Sequence, residues 1–145
     1  MTNQLHPLMN QQLTNWTVMY TKLHNYHWYV KGANFFTLHA KFEEFYTETA
    51  TYIDEIAERL LTIGGQPIAT LKETLETATI EEANGAETAD DMVKIILSDF
   101  TAIANHIDTL LEVAENEKDE ETADLFLGIK ATLEKNMWML KAYLG

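Results

Sequence analysis

The sequence predicts an all-α protein, a four-helix bundle in which a long crossover carrying a short helix joins the second and third helices. Its 145 residues include only 6 glycines and 2 prolines, so few positions can break a helix. Between those breaks, apolar residues recur at alternating steps of three and four, which is the period of one helical face. With 46% hydrophobic residues, residues 1–145 are expected to form a single domain with its own core.

The first two predicted helices form a hairpin, because only residues 32–34 separate them. Pro7 suits the first turn of the first helix, and Gly32 suits its end. The apolar stripe of the first helix is Met9, Leu13, Trp16, Tyr20, Leu23 and His27. The stripe of the second helix is Leu38, Phe42, Phe45, Thr49, Tyr52, Ile56 and Leu60, before residues 64–67 end that helix.

Residues 68–85 differ from the rest, since a short amphipathic piece over residues 71–78 precedes a polar run. This pattern predicts the crossover. A third helix is expected from near Thr88, which with Asp91 resembles a capping box. Its stripe is Met92, Ile96, Phe100, Ile103, Ile107, Leu110 and Ala114. An acidic loop over residues 115–121 and a fourth helix over residues 122–144 follow, with the stripe Phe126, Ile129, Leu133, Met137, Leu140 and Leu144. Short loop, long crossover, short loop is the connectivity of a ferritin-like bundle.

The charge balance and the absence of cysteine restrict the chemistry. There are 23 acidic and 10 basic residues, so the net charge is -13, and the chain should repel phosphate backbones and anionic lipids. Cations are the expected partners. With no cysteine, disulfides, zinc-thiolate sites and iron-sulfur clusters are excluded, and any metal must be held by His and carboxylates.

Residues 1–10 do not resemble a secretory signal, and no window is long enough for a membrane span, so we expect a cytoplasmic protein.

Two of the five histidines are candidate metal ligands. An isolated histidine on an apolar face is usually a packed, hydrogen-bonded residue, and we interpret His6 and His106 in this way. His27 and His39 lie at similar distances on either side of the hairpin turn, so antiparallel helices should carry them at the same level. His24 could join them or face solvent.

The second predicted helix adds carboxylates on the face of His39. At 100° per residue, Glu43, Asp54 and Glu58 share that face, although an ordinary solvated acidic face explains the pattern equally well. Asp54 and Glu58 are one turn apart and could clamp a cation, with histidine nitrogen as a ligand that suits iron.

One chain cannot close such a site. His39 and Asp54 are fifteen residues apart, which places them about 22 Å apart along one helix. A second copy of the helix, antiparallel across a twofold axis near Glu48, would bring His39 of one chain against Asp54 and Glu58 of the other. Interpreted as a metal site, the sequence therefore demands a homodimer. A di-iron centre inside one bundle is not expected, since no Glu-x-x-His motif is present.

Several motifs together resemble the Dps family of miniferritins. They are HWY at residues 27–29, NFFTLH at 34–39, DEIAERL at 54–60, GGQP at 64–67 and WMLKAYL at 138–144. The resemblance covers the whole chain. It implies a hollow homo-dodecamer with a ferroxidase site shared between twofold-related subunits and formed by His27, His39, Asp54 and Glu58. It also implies that iron(II) is oxidised, preferentially by hydrogen peroxide, and stored as ferric mineral, which limits hydroxyl-radical damage.

The resemblance assigns further roles. Glu43 stands where many members have Asp, and we interpret it either as an auxiliary metal ligand or as a residue that supports the ligands without binding the metal. Trp28 could donate an electron during catalysis, or it could simply be buried at the dimer interface. Glu120 and Asp124 resemble residues lining the family's threefold pores, while an acidic first turn favoured by the helix dipole is an equal alternative.

In one respect the sequence departs from the family pattern. Many members coat DNA through a Lys/Arg-rich extension, but here the first lysine is Lys22, inside the first predicted helix, and only Lys141 lies near Gly145. We therefore expect no DNA binding. A purely structural bundle would not need the four ligand candidates together, and a hydrolase using Asp54 and Glu58 would need a cleft that one helix does not offer.

Overall fold

The computed structural model describes residues 4–145 and confirms the predicted all-α fold. Its helices are α1 (Leu5–Tyr29), α2 (Phe35–Thr62), α3 (Leu71–Thr77), α4 (Ala89–Asn116) and α5 (Glu120–Leu144). α1 packs on α2, α4 packs on α5, and α1 also contacts both α4 and α3. The bundle is thus two hairpins joined by a crossover that carries α3. Within residues 4–145, no helix has the length and apolarity that crossing a membrane requires.

The predicted apolar stripes form the core. All seven stripe residues of α4 are buried, and the other stripes are buried except for Tyr20, Tyr52, Met137 and Leu144, which are half-buried. The start of α4 also agrees with the sequence. Thr88 accepts a hydrogen bond from the Asp91 backbone N–H, and Asp91 accepts one from the Thr88 backbone N–H, which completes the capping box.

The connection between α4 and α5 is shorter than predicted. An acidic loop was expected over residues 115–121, but α4 continues to Asn116 and α5 begins at Glu120. Lys118 reverses the chain with a φ of 59°, and Asp119 caps α5 by accepting a hydrogen bond from the Thr122 backbone N–H at 3.0 Å. Acidic residues interact favourably with the positive end of a helix dipole. The charge run that suggested a loop therefore lies partly in the first turn of α5.

Buried polar contacts fasten the crossover to α1. Lys22 Nζ donates to the Glu81 carbonyl at 2.7 Å and pairs with Asp99 Oδ2 of α4 at 2.7 Å, and the Lys22 side chain is only 3% exposed. Burial raises the pKa of Asp99 although Lys22 opposes the shift. Tyr26 Oη donates to Glu87 Oε2 at 2.9 Å, near the end of the crossover. These contacts hold α1, the crossover and α4 together.

The Lys22–Asp99 pair supplies a test of this anchoring. Lys22→Met should lower the free energy of unfolding by about 3 kcal/mol, because it leaves the Asp99 carboxylate buried without its partner. Adding Asp99→Leu should recover most of the loss, since no buried charge then remains unpaired.

The matched control is Lys130→Met, which breaks the more exposed pair with Asp108 and should cost less than about 1 kcal/mol. Urea denaturation of the three variants measures these differences. Equal losses for the two lysine substitutions would contradict an anchoring role for Lys22.

Candidate metal centre

The two candidate ligand histidines lie face to face across the α1–α2 turn. The rings of His27 and His39 stack with their centroids 3.7 Å apart and their planes 12° apart. His27 Nδ1 lies 2.6 Å from the His39 carbonyl oxygen, and His39 Nδ1 lies 2.7 Å from the His27 carbonyl oxygen. Since a carbonyl oxygen only accepts, each Nδ1 carries the proton and donates it. The lone pair of each neutral ring is then on Nε2, the atom left to bind a metal.

Local chain geometry makes this reciprocal arrangement possible. His27 lies in the last turn of α1, which ends at Tyr29, and carbonyl groups in a last turn lack an intrahelical partner. The His39 side chain satisfies that carbonyl from the facing helix. Gly32 adopts a φ of 109° in the turn between them, a left-handed conformation that side chains disfavour. The tight reversal therefore brings residues twelve positions apart into contact.

Aromatic rings enclose the histidine pair. Phe35 stacks on the outer side of His39 with ring centroids 4.8 Å apart, and Tyr46 meets His27 edge-on at 5.4 Å. His24 neither joins the ligand pair nor faces open solvent. It is half-buried, stacks on Tyr46 at 3.7 Å and contacts the Tyr20 carbonyl oxygen through Nδ1 at 2.7 Å.

Sequence reasoning missed Phe35 and Tyr46. Phe35 precedes His39 by four residues and Tyr46 follows it by seven, so both share its helical face. That spacing was available in the sequence and could have identified them. The two remaining histidines are packed residues, as predicted. His106 is half-buried, its Nδ1 lies 2.7 Å from Gln12 Nε2, and burial lowers its pKa. The His6 ring packs over Gly65.

The carboxylates are divided between two places on α2. Glu43 Oε1 lies 3.8 Å from His27 Nε2, beside the histidine pair, whereas Asp54 and Glu58 lie exposed further along the helix. The helical rise places Asp54 about 22 Å from His39. Within residues 4–145 no group of three or more His, Asp or Glu side chains is arranged to hold a metal ion. A single chain thus presents the predicted site in two halves that are separated along α2. The nitrogen half is formed by His27 and His39, and the oxygen half by Asp54 and Glu58.

The nitrogen half fits a borderline cation such as iron(II). Two fixed imidazole nitrogens with an adjacent carboxylate are ligands that suit iron, and no thiolate is available to favour softer metals. Asp54 and Glu58 are exposed and one turn apart on α2.

Large apolar side chains are exposed on the isolated chain. Trp28 is 67% exposed, and its ring packs against His24 at 5.3 Å. The other exposed large apolar residues are Tyr29, Phe36, Leu61, Leu71, Leu75, Leu127 and Trp138. Where such exposed apolar side chains form a contiguous patch, the patch is typical of protein–protein interfaces.

The acidic start of α5 is joined to the end of α2. Arg59, the residue after Glu58, donates from Nη2 to Asp119 Oδ1 at 3.1 Å and from Nε to Thr122 Oγ1 at 3.0 Å. Burial works to raise the pKa of Asp119, but hydrogen bonds from Thr122 and the charge of Arg59 outweigh it and lower the pKa. Glu120 and Asp124 are exposed and lie one turn apart on α5. The predicted pore residues therefore present their carboxylates to solvent.

This bundle, with histidine and carboxylate side chains on its paired helices, defines a ferritin-like protein. The model of the ferritin-like domain family matches residues 7–145.

Comparison with individual proteins narrows the class. The chain is 59% identical to general stress protein 20U of Bacillus subtilis and 54% identical to DNA protection during starvation protein 2 of Bacillus anthracis. Both alignments cover 100% of this chain, with 100% and 99% of the respective relatives. The crystal structure of Dps from Staphylococcus aureus superposes with a TM-score of 0.97 at 47% identity, covering 100% of this chain and 99% of that one. The chain belongs to the Dps family of miniferritins.

Proposed function

We propose that this protein, acting as a single domain over residues 1–145, is a ferroxidase that oxidises iron(II) and stores the ferric product inside a hollow shell of its own subunits. The observation that carries the proposal is the stacked His27–His39 pair with both Nε2 atoms directed away from the carbonyls that hold Nδ1. Two fixed nitrogen donors beside Glu43 form half of an iron site.

The other half comes from a twofold-related subunit. Asp54 and Glu58 are too far along α2 to reach the histidines of their own chain, and both are exposed. An antiparallel α2 from a second chain would bring its Asp54 and Glu58 to this histidine pair and create two equivalent sites. The exposed Trp28, Leu61 and Leu71 supply apolar surface for such contacts, and we infer a homo-dodecamer from family membership.

Hydrogen peroxide is the proposed preferred oxidant, and the cytoplasm is the proposed location. Removing iron(II) and peroxide together prevents hydroxyl-radical formation, which would protect DNA without contacting it. The names of the two relatives, a general stress protein and a DNA protection protein, accord with that role.

Mixed dimers test the shared site. His39→Ala and Asp54→Ala should each abolish most peroxide-dependent ferric absorbance, because every site in either dimer lacks one ligand. In a mixed dimer, one site combines both damaged positions and the other is intact. Co-expression should therefore restore about a quarter of wild-type activity, since half of randomly paired dimers are mixed and each holds one good site of two.

Glu55→Ala is the control for this experiment, because Glu55 is an exposed carboxylate of α2 that lies about 100° around the helix from Asp54, so activity should not change. Sedimentation should show that all shells assemble. A site contained within one chain would give no recovery in the mixture, and unchanged activity in the single variants would show that the ligands are misassigned.

Iron uptake is proposed to use the carboxylates of Glu120 and Asp124. A ring of these residues around a threefold axis would concentrate cations at a pore. Glu120→Gln with Asp124→Asn should slow iron(II) uptake and weaken its dependence on ionic strength, both measured by stopped-flow absorbance.

The control pair is Glu82→Gln with Asp90→Asn, which removes the same charge from exposed positions, one of them in the first turn of α4. If both pairs have the same effect, Glu120 and Asp124 contribute only to the overall negative charge and to the helix dipole, and their assignment to a pore is wrong.

DNA binding is not expected near neutral pH. With a net charge of -13 per chain, the shell has no excess of cations to displace counterions from phosphates. Plasmid mobility in a gel shift at micromolar protein should not change. A variant with an appended tail of about six lysines should retard the plasmid in a salt-sensitive manner and serves as the positive control. Salt-sensitive retardation by the unmodified protein would contradict the proposal.

A further inference from the structure

The crossover ends in a turn that places an asparagine directly before a glycine. Asn84 is the only asparagine of the chain that glycine follows, and Gly85 adopts a φ of 87°. Both residues are exposed, and Asn84 lines two open cavities. A glycine has no Cβ to shield its backbone nitrogen, so this nitrogen is well able to attack the side-chain amide of the residue before it. The pair is therefore chemically reactive and open to water.

One carboxylate fixes the backbone on both sides of Asn84. The Asn84 N–H donates to Glu87 Oε2 at 3.1 Å, and the Gly85 N–H donates to Glu87 Oε1 at 2.9 Å. Because both N–H groups converge on one side chain, rotation about the Cα–C bond of Asn84 is restricted. The Asn84 side chain is held as well, since its Oδ1 accepts a hydrogen bond from the Ala86 N–H at 2.8 Å.

Glu87 is itself anchored to α1. Tyr26, the buried residue before His27, donates from Oη to Glu87 Oε2 at 2.9 Å. Burial works to raise the pKa of Glu87, but hydrogen bonds from the two backbone N–H groups and from Tyr26 outweigh it and lower the pKa. Glu87 is therefore ionised near neutral pH, and hydrogen bonds to an ionised acceptor are stronger than those between neutral groups.

We propose that Asn84 is a site of spontaneous deamidation and that Glu87 holds it in an unreactive conformation. In the reaction, the Gly85 nitrogen attacks Cγ of Asn84, the new N–Cγ bond closes a succinimide ring, and the Cγ–Nδ2 bond breaks. The Gly85 proton leaves with the amide nitrogen as ammonia. Water then opens the ring at either carbonyl and gives aspartate or isoaspartate. The net change is uptake of one water and release of one ammonia, without oxidation or reduction.

The observed contacts oppose the geometry that this attack requires. The nitrogen and Cγ must reach one mutual orientation, which needs rotation about the backbone and side-chain bonds of Asn84. The bonds to Glu87 and from Ala86 restrict both rotations. Glu87 is also a weak base toward an amide proton, because its pKa is lowered. Releasing the turn from Glu87 therefore speeds the reaction.

Deamidation acts on the anchor of α1. The product adds a negative charge to the turn that binds Glu87, and like charges repel. Isoaspartate also lengthens the main chain by a carbon just before α4. Since Tyr26 bonds to Glu87 and directly precedes His27, the modification weakens the attachment of the helix that presents a proposed metal ligand.

Mass spectrometry of the assembled full-length protein tests the inference. Samples stored at neutral pH are digested under mildly acidic conditions, and the peptide containing Asn84 is followed for the mass gain of an amide converted to an acid. Glu87→Ala should deamidate there about tenfold faster than wild type, because charge-assisted hydrogen bonds no longer hold the turn. Wild-type chains unfolded in urea give the rate of the unrestrained pair, which should be at least as fast. Isoaspartate among the products identifies the succinimide route, since direct hydrolysis gives only aspartate.

Tyr26→Phe is the matched control, because it removes the phenol bond to Glu87 and leaves both backbone bonds to the carboxylate. Its rate at Asn84 should stay close to that of wild type. Asn116, exposed and followed by Glu117, is the control within each chain and should react equally in all folded variants. Circular dichroism checks folding.

Glu87→Gln serves if the alanine variant does not fold, because it keeps the size of the side chain but has neither the charge nor the second acceptor oxygen. It should also react faster than wild type. An unchanged or slower reaction in the folded Glu87 variant would overturn the protective role, as would equal rates in folded and unfolded wild type. Absence of deamidation in urea would overturn the site itself.

Discussion

The reciprocal contact between His27 and His39 is the interaction on which the proposed site depends. Each ring donates from Nδ1 to the other residue's carbonyl, so one pair of hydrogen bonds closes the α1–α2 hairpin and also fixes the tautomer and direction of both rings. An unpaired carbonyl at the end of α1 would otherwise need water. Closing the hairpin and preparing two nitrogen ligands are therefore the same structural event.

Helix length separates the two halves of the site. Because α2 is continuous from Phe35 to Thr62, His39 and Asp54 are held apart by its rise, and no side-chain movement can bring them together within one chain. The exposed acidic residues of α2 repel one another, and a bound cation would relieve that repulsion. A cation that binds only the paired form stabilises that form by mass action. In the proposed function, iron binding and assembly are therefore coupled at the shared site.

The sequence predicted those features that depend on helical periodicity. The stripes, the capping box at Thr88 and the level of His27 with His39 follow from 3.6 residues per turn. The loop over residues 115–121 was wrong in extent, since a run of carboxylates is compatible with a loop and with the first turn of a helix. Tyr46 and Phe35 were missed because an aromatic residue on a core-facing helix resembles ordinary packing. The Lys22–Asp99 pair joins residues distant in sequence, and no periodicity links them.

The helix that carries His27 is held by the crossover as well as by α2. This helix has 13 of its 25 residues buried, against 6 of 28 in α2, because it packs on two sides. Lys22 and Tyr26 contact the crossover, and at about 100° per residue His27 projects about 100° around the helix from Tyr26, toward α2. The long crossover therefore connects α2 to α4 and also holds α1 in place through Glu81 and Glu87. The buried Lys22–Asp99 pair and the Tyr26–Glu87 hydrogen bond fasten α1 to the crossover and α4, while His27 contacts α2 and the exposed Asp54 and Glu58 remain available to the proposed partner subunit.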